Sequence, residues 1–152
     1  MRTLTAYFSY TGRTAELAER IRELTGSDIF RIEAEEPYPR SYRDTIERAK
    51  EEWQAGAFPP LAEDADVSAY DAIFLGFPDW CGTMPRPVFT FLRSHDFSGK
   101  RIFPFCTSGG SGLGSSISDI KATAPGADVS EGFHSSGHAD DEDLIRWIES
   151  LS

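Results

Sequence analysis

The stretch that decides the fold is Thr3-Leu4-Thr5-Ala6-Tyr7-Phe8-Ser9-Tyr10-Thr11-Gly12-Arg13-Thr14. Its first six residues favour a β-strand, and Leu17, Ile21 and Leu24 follow at helical spacing. The loop between strand and helix, Ser9 to Thr14, carries the hydroxyls of Ser9, Thr11 and Thr14 and a glycine at position 12. Because the first turn of a helix has unpaired N–H groups and a favourable dipole, this loop predicts an anion site. The alternative is that these residues only cap the helix.

The rest of the chain repeats this alternation of strand and helix. Further strands are predicted at 29–32, 72–77, 102–106 and 127–133, and further helices at 42–53, from Pro85, at 117–120 and at 144–151. Pro104 lies within the fourth predicted strand and indicates an edge or a bulge, since it cannot donate a ladder hydrogen bond. The pattern predicts one α/β domain over residues 1–152, with a doubly wound, mostly parallel sheet.

Composition narrows the class of protein. The chain has 152 residues, with 25 acidic and 15 basic side chains and a formal charge of −10. Such a charge repels nucleic acid, and no apolar run is long enough for a bilayer. Neither a signal-peptide core nor a cleavage site follows the start, which favours the cytoplasm. Cys81 and Cys106 are too few to frame a secreted disulfide domain.

Two more loops leave the predicted carboxyl ends of strands. Pro78-Asp79-Trp80-Cys81-Gly82-Thr83-Met84-Pro85 follows the third strand, and Thr107-Ser108-Gly109-Gly110-Ser111-Gly112 follows the fourth. Trp80 offers a planar surface for a flat heteroaromatic ring, or else it is an ordinary core tryptophan. The glycines of the third loop let backbone approach the edge of a ligand, or else they form a flexible connector. All three loops are expected to meet at one edge of the sheet.

Other nucleotide and phosphate sites fit less well. The chain has no G-x-x-x-x-G-K-[ST] loop. Cys81 and Arg86 are one residue too close for a cysteine-phosphatase loop, and Ser115 stands where a dinucleotide fingerprint starting at Gly110 needs its third glycine. A phosphorylated receiver module needs acidic residues after the first strand, where this chain has Ser9.

One histidine pair has a spacing that occurs in metal sites. His134 and His138 are four residues apart, with Asp140 and Asp141 after them. The glycine at position 137 argues against a shared helix face, so a solvent loop capping the last helix is predicted, without a metal.

Taken together, the three loops resemble the flavodoxin family, specifically its short-chain members. The resemblance covers nearly the whole chain and is carried by Tyr7 to Thr14, Gly76 to Pro87 and Pro104 to Gly112. It implies a five-stranded parallel sheet in the order 2-1-3-4-5 between two layers of helices. It also implies non-covalent FMN and a role in electron transfer or flavin-dependent reduction.

The resemblance further implies roles for individual residues. It places the FMN phosphate on Ser9, Thr11, Gly12, Arg13 and Thr14. It places one side of the flavin ring along Pro78, Asp79, Trp80, Cys81 and Gly82, and the other edge near Thr107, Ser108, Gly109 and Gly110. Two departures are Arg13, which charges a loop that usually relies on neutral donors, and the lack of a tyrosine after the third loop.

No catalytic side chain is implied, because the flavin itself accepts the electrons. The expected function is electron transfer to redox partner proteins or to a small-molecule acceptor, with the oligomeric state open. The alternative is an FMN-dependent reductase that takes hydride from NAD(P)H and passes it to a quinone-type acceptor. A receiver-like signalling module without flavin is the remoter alternative.

Overall fold

The computed structural model describes residues 1–80, 82–109, 112–136 and 141–151. The strands are β1 Thr3–Tyr7, β2 Asp28–Arg31, β3 Ala72–Pro78, β4 Arg101–Thr107, β5 Asp128–Val129 and β6 Phe133–Ser135. The helices are α1 Arg13–Thr25, α2 Tyr42–Ala55, α3 Arg86–Arg93, α4 Ser116–Thr123 and α5 Asp141–Ser150. The predicted alternation of strands and helices is confirmed.

The strands form one parallel sheet in the order β2-β1-β3-β4-β5, with β6 also paired to β4. The longest pairing joins β3 to β4, from Ala72 opposite Arg101 to Pro78 opposite Thr107. The first six residues of β3 are buried, as expected for a strand covered on both faces. The predicted strand order is therefore confirmed.

Helices cover both faces of this sheet. On one face, Leu17 and Ile21 of α1 and Leu144 of α5 pack against Phe74 and Phe103. On the other face, α3 and α4 pack with β1, β3 and β4 in a second buried cluster, and α2 lies against α3. The result is the three-layer α/β arrangement that was predicted.

The far edge of the sheet differs from the single strand predicted at 127–133. Val129 lies opposite Ile102 and Phe133 lies opposite Phe105, so four residue steps on the edge match three on β4. The edge therefore contains one extra residue between β5 and β6, as in a bulge.

Pro104 explains where this interruption lies. Ile102 accepts a hydrogen bond from the Ser130 amide, and Ser108 donates one to the Ser135 carbonyl. Since backbone groups alternate sides along a strand, the nitrogen of Pro104 also faces the β5/β6 edge. It lies opposite the interruption, where no ladder partner is needed.

In the described part of the chain, no helix combines the length and the apolar character needed to cross a membrane.

Candidate flavin site

The carboxyl ends of β1, β3 and β4 bring the three predicted loops together. The hydroxyls of Thr14 and Thr107 are 2.7 Å apart, which joins the first loop to the end of β4. The amide of Asp79 donates to the carbonyl of Thr107 at 2.9 Å, which joins the second loop to the same residue. The loops meet beside the β1/β3 pair, where the winding direction of the sheet reverses and where such folds bind ligands.

In the first loop, two of the predicted phosphate-binding hydroxyls hold the loop in shape. Ser9 is buried, and its Oγ accepts hydrogen bonds from the amides of Gly12 and Ala15, each at 3.2 Å. Thr14 is buried against Thr107. These contacts curl the backbone so that the start of α1 faces outward.

The outer surface of this loop carries the free donors. Thr11, Gly12 and Arg13 are exposed, and Gly12, the N-cap residue, adopts the left-handed conformation (φ 97°) and has no side chain to cap the helix. No hydrogen bond among the described residues engages the amides of Thr11, Arg13 or Thr14. Arg13 forms no ion pair with a described residue. Unsatisfied amides, one hydroxyl and one cation together suit a phosphate monoester.

The second loop is a closed turn. The backbones of Trp80 and Thr83 exchange hydrogen bonds of 2.9 and 3.2 Å, and Gly82 between them has a φ of 82°. Trp80 is partly buried. Its ring makes edge contacts with the rings of Phe8, Tyr10 and Tyr38, at centroid distances of 5.2, 5.9 and 5.1 Å. The tryptophan therefore belongs to an aromatic cluster at the ligand edge of the sheet. Cys81 lies outside the described residues.

A contact that the sequence did not reveal holds this turn in place. The carbonyl of Gly82 accepts a hydrogen bond of 2.8 Å from the Ser115 amide. Asp119 accepts from the hydroxyls of Thr83 and Ser115, at 2.5 and 2.9 Å. Gly114 lies so close to this carbonyl that a Cβ there would be 2.1 Å from the oxygen. The glycine and serine content of 107–116 was the available signal, but the contact itself is between loops distant in sequence.

The third loop is joined to β6 through His134. The Ser108 hydroxyl and His134 Nε2 are 2.6 Å apart, and the Ser108 amide donates to the Ser135 carbonyl. The prediction of a solvent loop capping the last helix was therefore wrong for His134, which is a strand residue at the edge of the site, because the bulge extends the edge strand as far as Ser135. Gly109 is exposed. Gly110 and Ser111 lie outside the described residues, as do His138 and Asp140.

A cavity of about 260 Å³, here called the α2 slot, lies between the second loop and α2. Its lining residues are Tyr10, Thr11, Tyr42, Thr45, Ile46, Ala49, Pro78, Asp79 and Trp80. It shares Tyr10 and Thr11 with the first loop, so it continues directly from the anion site. Its size is near the lower end of ligand pockets, about 300–1,000 Å³, as expected for a site that takes part of a ligand.

A second cavity of about 400 Å³, here called the β2 pocket, lies on the other side of the first loop. It is lined by the ends of β1 and β2 and the segment after β2, including Arg31, Glu33 and Arg40. Arg31 is already engaged, because it pairs with Glu33 and donates to the Ser9 carbonyl. This pocket is larger and also adjoins the first loop, through Ser9, Tyr10 and Thr11, but its lining contains no residue of the second or third loop.

Arg86 does not take part in the anion site. It is buried, donates from Nε to the Ala57 carbonyl at 2.7 Å, and lies over the rings of Phe58 and Phe89. Burial lowers the pKa of Arg86 from its ordinary value. Its guanidinium holds the segment after α2 in place, which argues against a cysteine-phosphatase loop.

Cys106 is fully buried in β4. Burial, with a smaller contribution from the Asp79 carboxylate, raises the pKa of the Cys106 thiol from 9.0 to about 12. The thiol is therefore a packed, protonated group rather than a nucleophile. Among the described residues, no cluster of histidine, cysteine, aspartate and glutamate is suited to hold a metal ion.

A family model described as Flavodoxin matches residues 2–151. The chain belongs to the flavodoxin family. A search of curated proteins found no match.

Solved structures agree with this flavodoxin assignment. A protein from Bacteroides eggerthii that is assigned as a flavoprotein is 31% identical, with a TM-score of 0.89, over 99% of this chain and 97% of that chain. A flavoprotein from Lactobacillus acidophilus, solved in complex with FMN, is 25% identical, with a TM-score of 0.75, over 97% of this chain and 98% of that chain. Oxidised flavodoxin 1 from Bacillus cereus is 18% identical, with a TM-score of 0.56, over 99% and 94% of the two chains, and shows the fold alone.

Proposed function

We propose that this flavodoxin-family chain binds FMN and transfers electrons through it. The observation that carries the proposal is that an amide-lined anion site and an aromatic slot adjoin at the β1/β3 reversal point and share Tyr10 and Thr11. The anion site suits the phosphate and the slot suits the ring. Family membership and the FMN complex of the 25% identical relative from L. acidophilus support the choice of FMN.

In this proposal each of the three loops contacts a different part of FMN. The exposed amides at the start of α1 bind the phosphate, together with Thr11, Gly12 and Arg13. Ser9 and Thr14 keep the loop curled through their hydroxyls and retain their predicted place at the phosphate. Pro78, Asp79 and Trp80 lie along the ring, and Gly82 lets the turn approach it closely. Ser108 and Gly109, with Thr107 behind them, lie at the far edge of the ring. Cys81 and Gly110 keep their predicted roles as expectations from the family.

When bound, FMN supplies the electron-accepting ring. The chain's own part is to orient that ring, to exclude water from one side of it, and to set the local potential with backbone dipoles and charges. No side chain has to act as an acid or a base. Electron transfer to a redox partner protein or a small-molecule acceptor follows as the proposed role.

The visible spectrum of the purified protein and a titration with FMN test this proposal. We expect one FMN per chain, quenched flavin fluorescence, and binding of riboflavin at least about tenfold weaker, which is about 1.4 kcal/mol for the phosphate. Riboflavin is the matched ligand because it has the same ring without the phosphate. A colourless protein that takes up no added FMN would disprove the proposal.

A variant pair tests the loop itself. Arg13→Ala should weaken FMN binding and leave riboflavin binding unchanged, because the proposal places the cation at the phosphate and not at the ring. Arg22→Ala is the control, since Arg22 lies in the last turn of the same helix and pairs with Glu19. Equal affinities of the two variants for FMN would mean that Arg13 points to solvent.

The two candidate functions, electron carrier and NAD(P)H-dependent reductase, differ in what they predict for the FMN-bound protein. A carrier should oxidise neither NADH nor NADPH at a measurable steady-state rate until a partner reductase is added. Turnover of either nucleotide by the protein alone, with a quinone as acceptor, would favour the reductase.

A further inference from the structure

One wall of the α2 slot is formed by helix α2. The third loop and the residues that follow it, from Thr107 to Ser116, contain no aromatic side chain. In the structure, the slot is instead lined by Tyr42, the first residue of α2. Its side chain is among the most exposed of the large hydrophobic residues, at 73%.

Tyr42 and Trp80 line the same slot from different elements. Trp80 contacts the rings of Phe8, Tyr10 and Tyr38, and among the ring contacts of the described residues none joins it to Tyr42. The slot is therefore not closed by a contact between these two rings. Tyrosine and tryptophan rings bind flat aromatic guests in offset or edge geometry.

Hydrogen bonds anchor the start of α2, which fixes the backbone position of Tyr42. Thr45 is buried in the first turns of α2 and donates to the Pro39 carbonyl at 2.6 Å. Tyr10 donates to the carbonyls of Pro39 and Arg40 at 2.9 and 3.0 Å. Ser41 caps the helix by accepting from the Asp44 amide. Because these bonds anchor the start of α2, the backbone of Tyr42 is held at the slot, and only its side chain has to order on a ligand.

We propose that Tyr42 is the second aromatic wall of the flavin ring site, with the ring held between it and Trp80. The inference rests on the proposed function, because its guest is the ring of an FMN whose phosphate lies on the adjoining first loop. It assigns to α2 the aromatic wall that the third loop, which has no aromatic side chain, does not supply.

Equilibrium titrations with FMN and riboflavin test the proposal, using bound-flavin fluorescence and the visible spectrum as readouts. Tyr42→Ala should raise the Kd of both ligands by the same factor, about tenfold. It should also raise the residual fluorescence of the bound flavin, since a stacked ring is lost. Tyr42→Phe keeps the ring and should restore both values.

Leu24→Ala is the control, because Leu24 is an exposed apolar residue of α1 outside the slot. It should change neither Kd nor the spectrum. Melting temperatures of both alanine variants should match that of the wild type, as expected for exposed side chains.

Two results would overturn the proposal while leaving the proposed function intact. One is an unchanged Kd and spectrum in Tyr42→Ala, as expected if the ring occupied the β2 pocket. The other is weaker binding of FMN alone, which would assign Tyr42 to the phosphate. A wild-type protein that binds neither flavin would overturn both the inference and the proposed function.

Discussion

Gly114 makes the closest backbone approach at the site. Its φ is 55°, and a Cβ at this position would lie 2.1 Å from the carbonyl oxygen of Gly82, which also accepts the Ser115 amide. That oxygen is part of the turn expected to contact the flavin. An added methyl group must therefore displace the turn as well as strain the backbone.

We predict that Gly114→Ala lowers the free energy of unfolding by about 2–3 kcal/mol, the sum of left-handed strain and a steric clash. It should also weaken FMN binding. The control is Gly56→Ala, at a φ of 62° with open space around the Cβ, which should cost only about 1 kcal/mol of strain. Chemical denaturation and flavin titration measure both effects. Equal losses of stability in the two variants would show that the clash with Gly82 is relieved without cost.

Ser9, Thr14 and His134 show why residue roles were harder to predict than residue types. The family pattern places the hydroxyls of Ser9 and Thr14 on the phosphate, and in this structure they also bond loop amides and Thr107. Their role in phosphate binding stays a prediction. His134 was predicted to lie in a solvent loop, but it lies in β6, and its Nε2 is 2.6 Å from the Ser108 hydroxyl. A hydroxyl or an imidazole in a sequence has several possible partners, and only the packed chain selects one.

At the scale of elements, α2 is attached to the segment before it by a small network. Arg48 donates to the carbonyls of Glu36 and Pro37 and lies 3.9 Å from the ring of Tyr38. Glu52 accepts hydrogen bonds from Tyr38 and Arg48, at 2.5 and 3.3 Å. Burial first, and then the bond to Glu52, raise the pKa of Tyr38 above its ordinary value.

This network predicts alkaline sensitivity. The folded protein keeps protons on Tyr38 and Cys106 that the unfolded chain releases, in the case of Cys106 between 9.0 and about 12. The unfolded state therefore binds fewer protons, so the free energy of unfolding falls as pH rises above about 9. Below that range both groups are protonated in both states and contribute no pH dependence.

Urea denaturation between pH 7 and 11 checks this expectation. Tyr38→Phe should reduce the alkaline loss of stability by removing the tyrosine contribution, and Cys106→Ala should reduce the part contributed by the thiol. Both variants are compared with the wild type at each pH, so that their effect on stability at neutral pH is subtracted. A wild-type curve that is flat up to pH 11 would contradict the assignment.

At the scale of the whole molecule, the formal charge of −10 makes it less favourable to add an electron at the flavin site. Fully reduced flavin carries a negative charge, which the field of the protein disfavours. We predict that the midpoint potential of bound FMN is lower than that of free FMN and rises with ionic strength, because salt screens the exposed carboxylates over about 10 Å at 0.1 M.

Redox titrations of the loaded protein and of free FMN, at low and high salt, measure this effect. Free FMN at the same salt concentrations is the control for changes in the flavin itself. A bound potential with the same salt dependence as free FMN would show that the distant charges are already screened and that local contacts set the potential.

The sequence by itself determined the alternation of strands and helices, the three loops at the carboxyl ends of strands, and the membership of those loops in the flavodoxin pattern. Each of these depends on local features such as hydrophobic periodicity, glycine and proline positions, and short motifs, which are readable within a few residues. Pro104 also indicated an edge or a bulge in its strand, because the absence of an N–H can be read from the sequence, but in the structure the extra residue lies in the edge strands opposite it.

Only the tertiary structure decided which residues meet across those loops. The contact of Gly114 with Gly82, the pairing of His134 with Ser108, and the α2 slot lined by Tyr42 and Trp80 each join residues that are far apart in the chain. Such contacts depend on how helices pack on the sheet and on where its edge is interrupted. No local pattern encodes that packing, so the site's donors were predictable as residue types and its geometry was not.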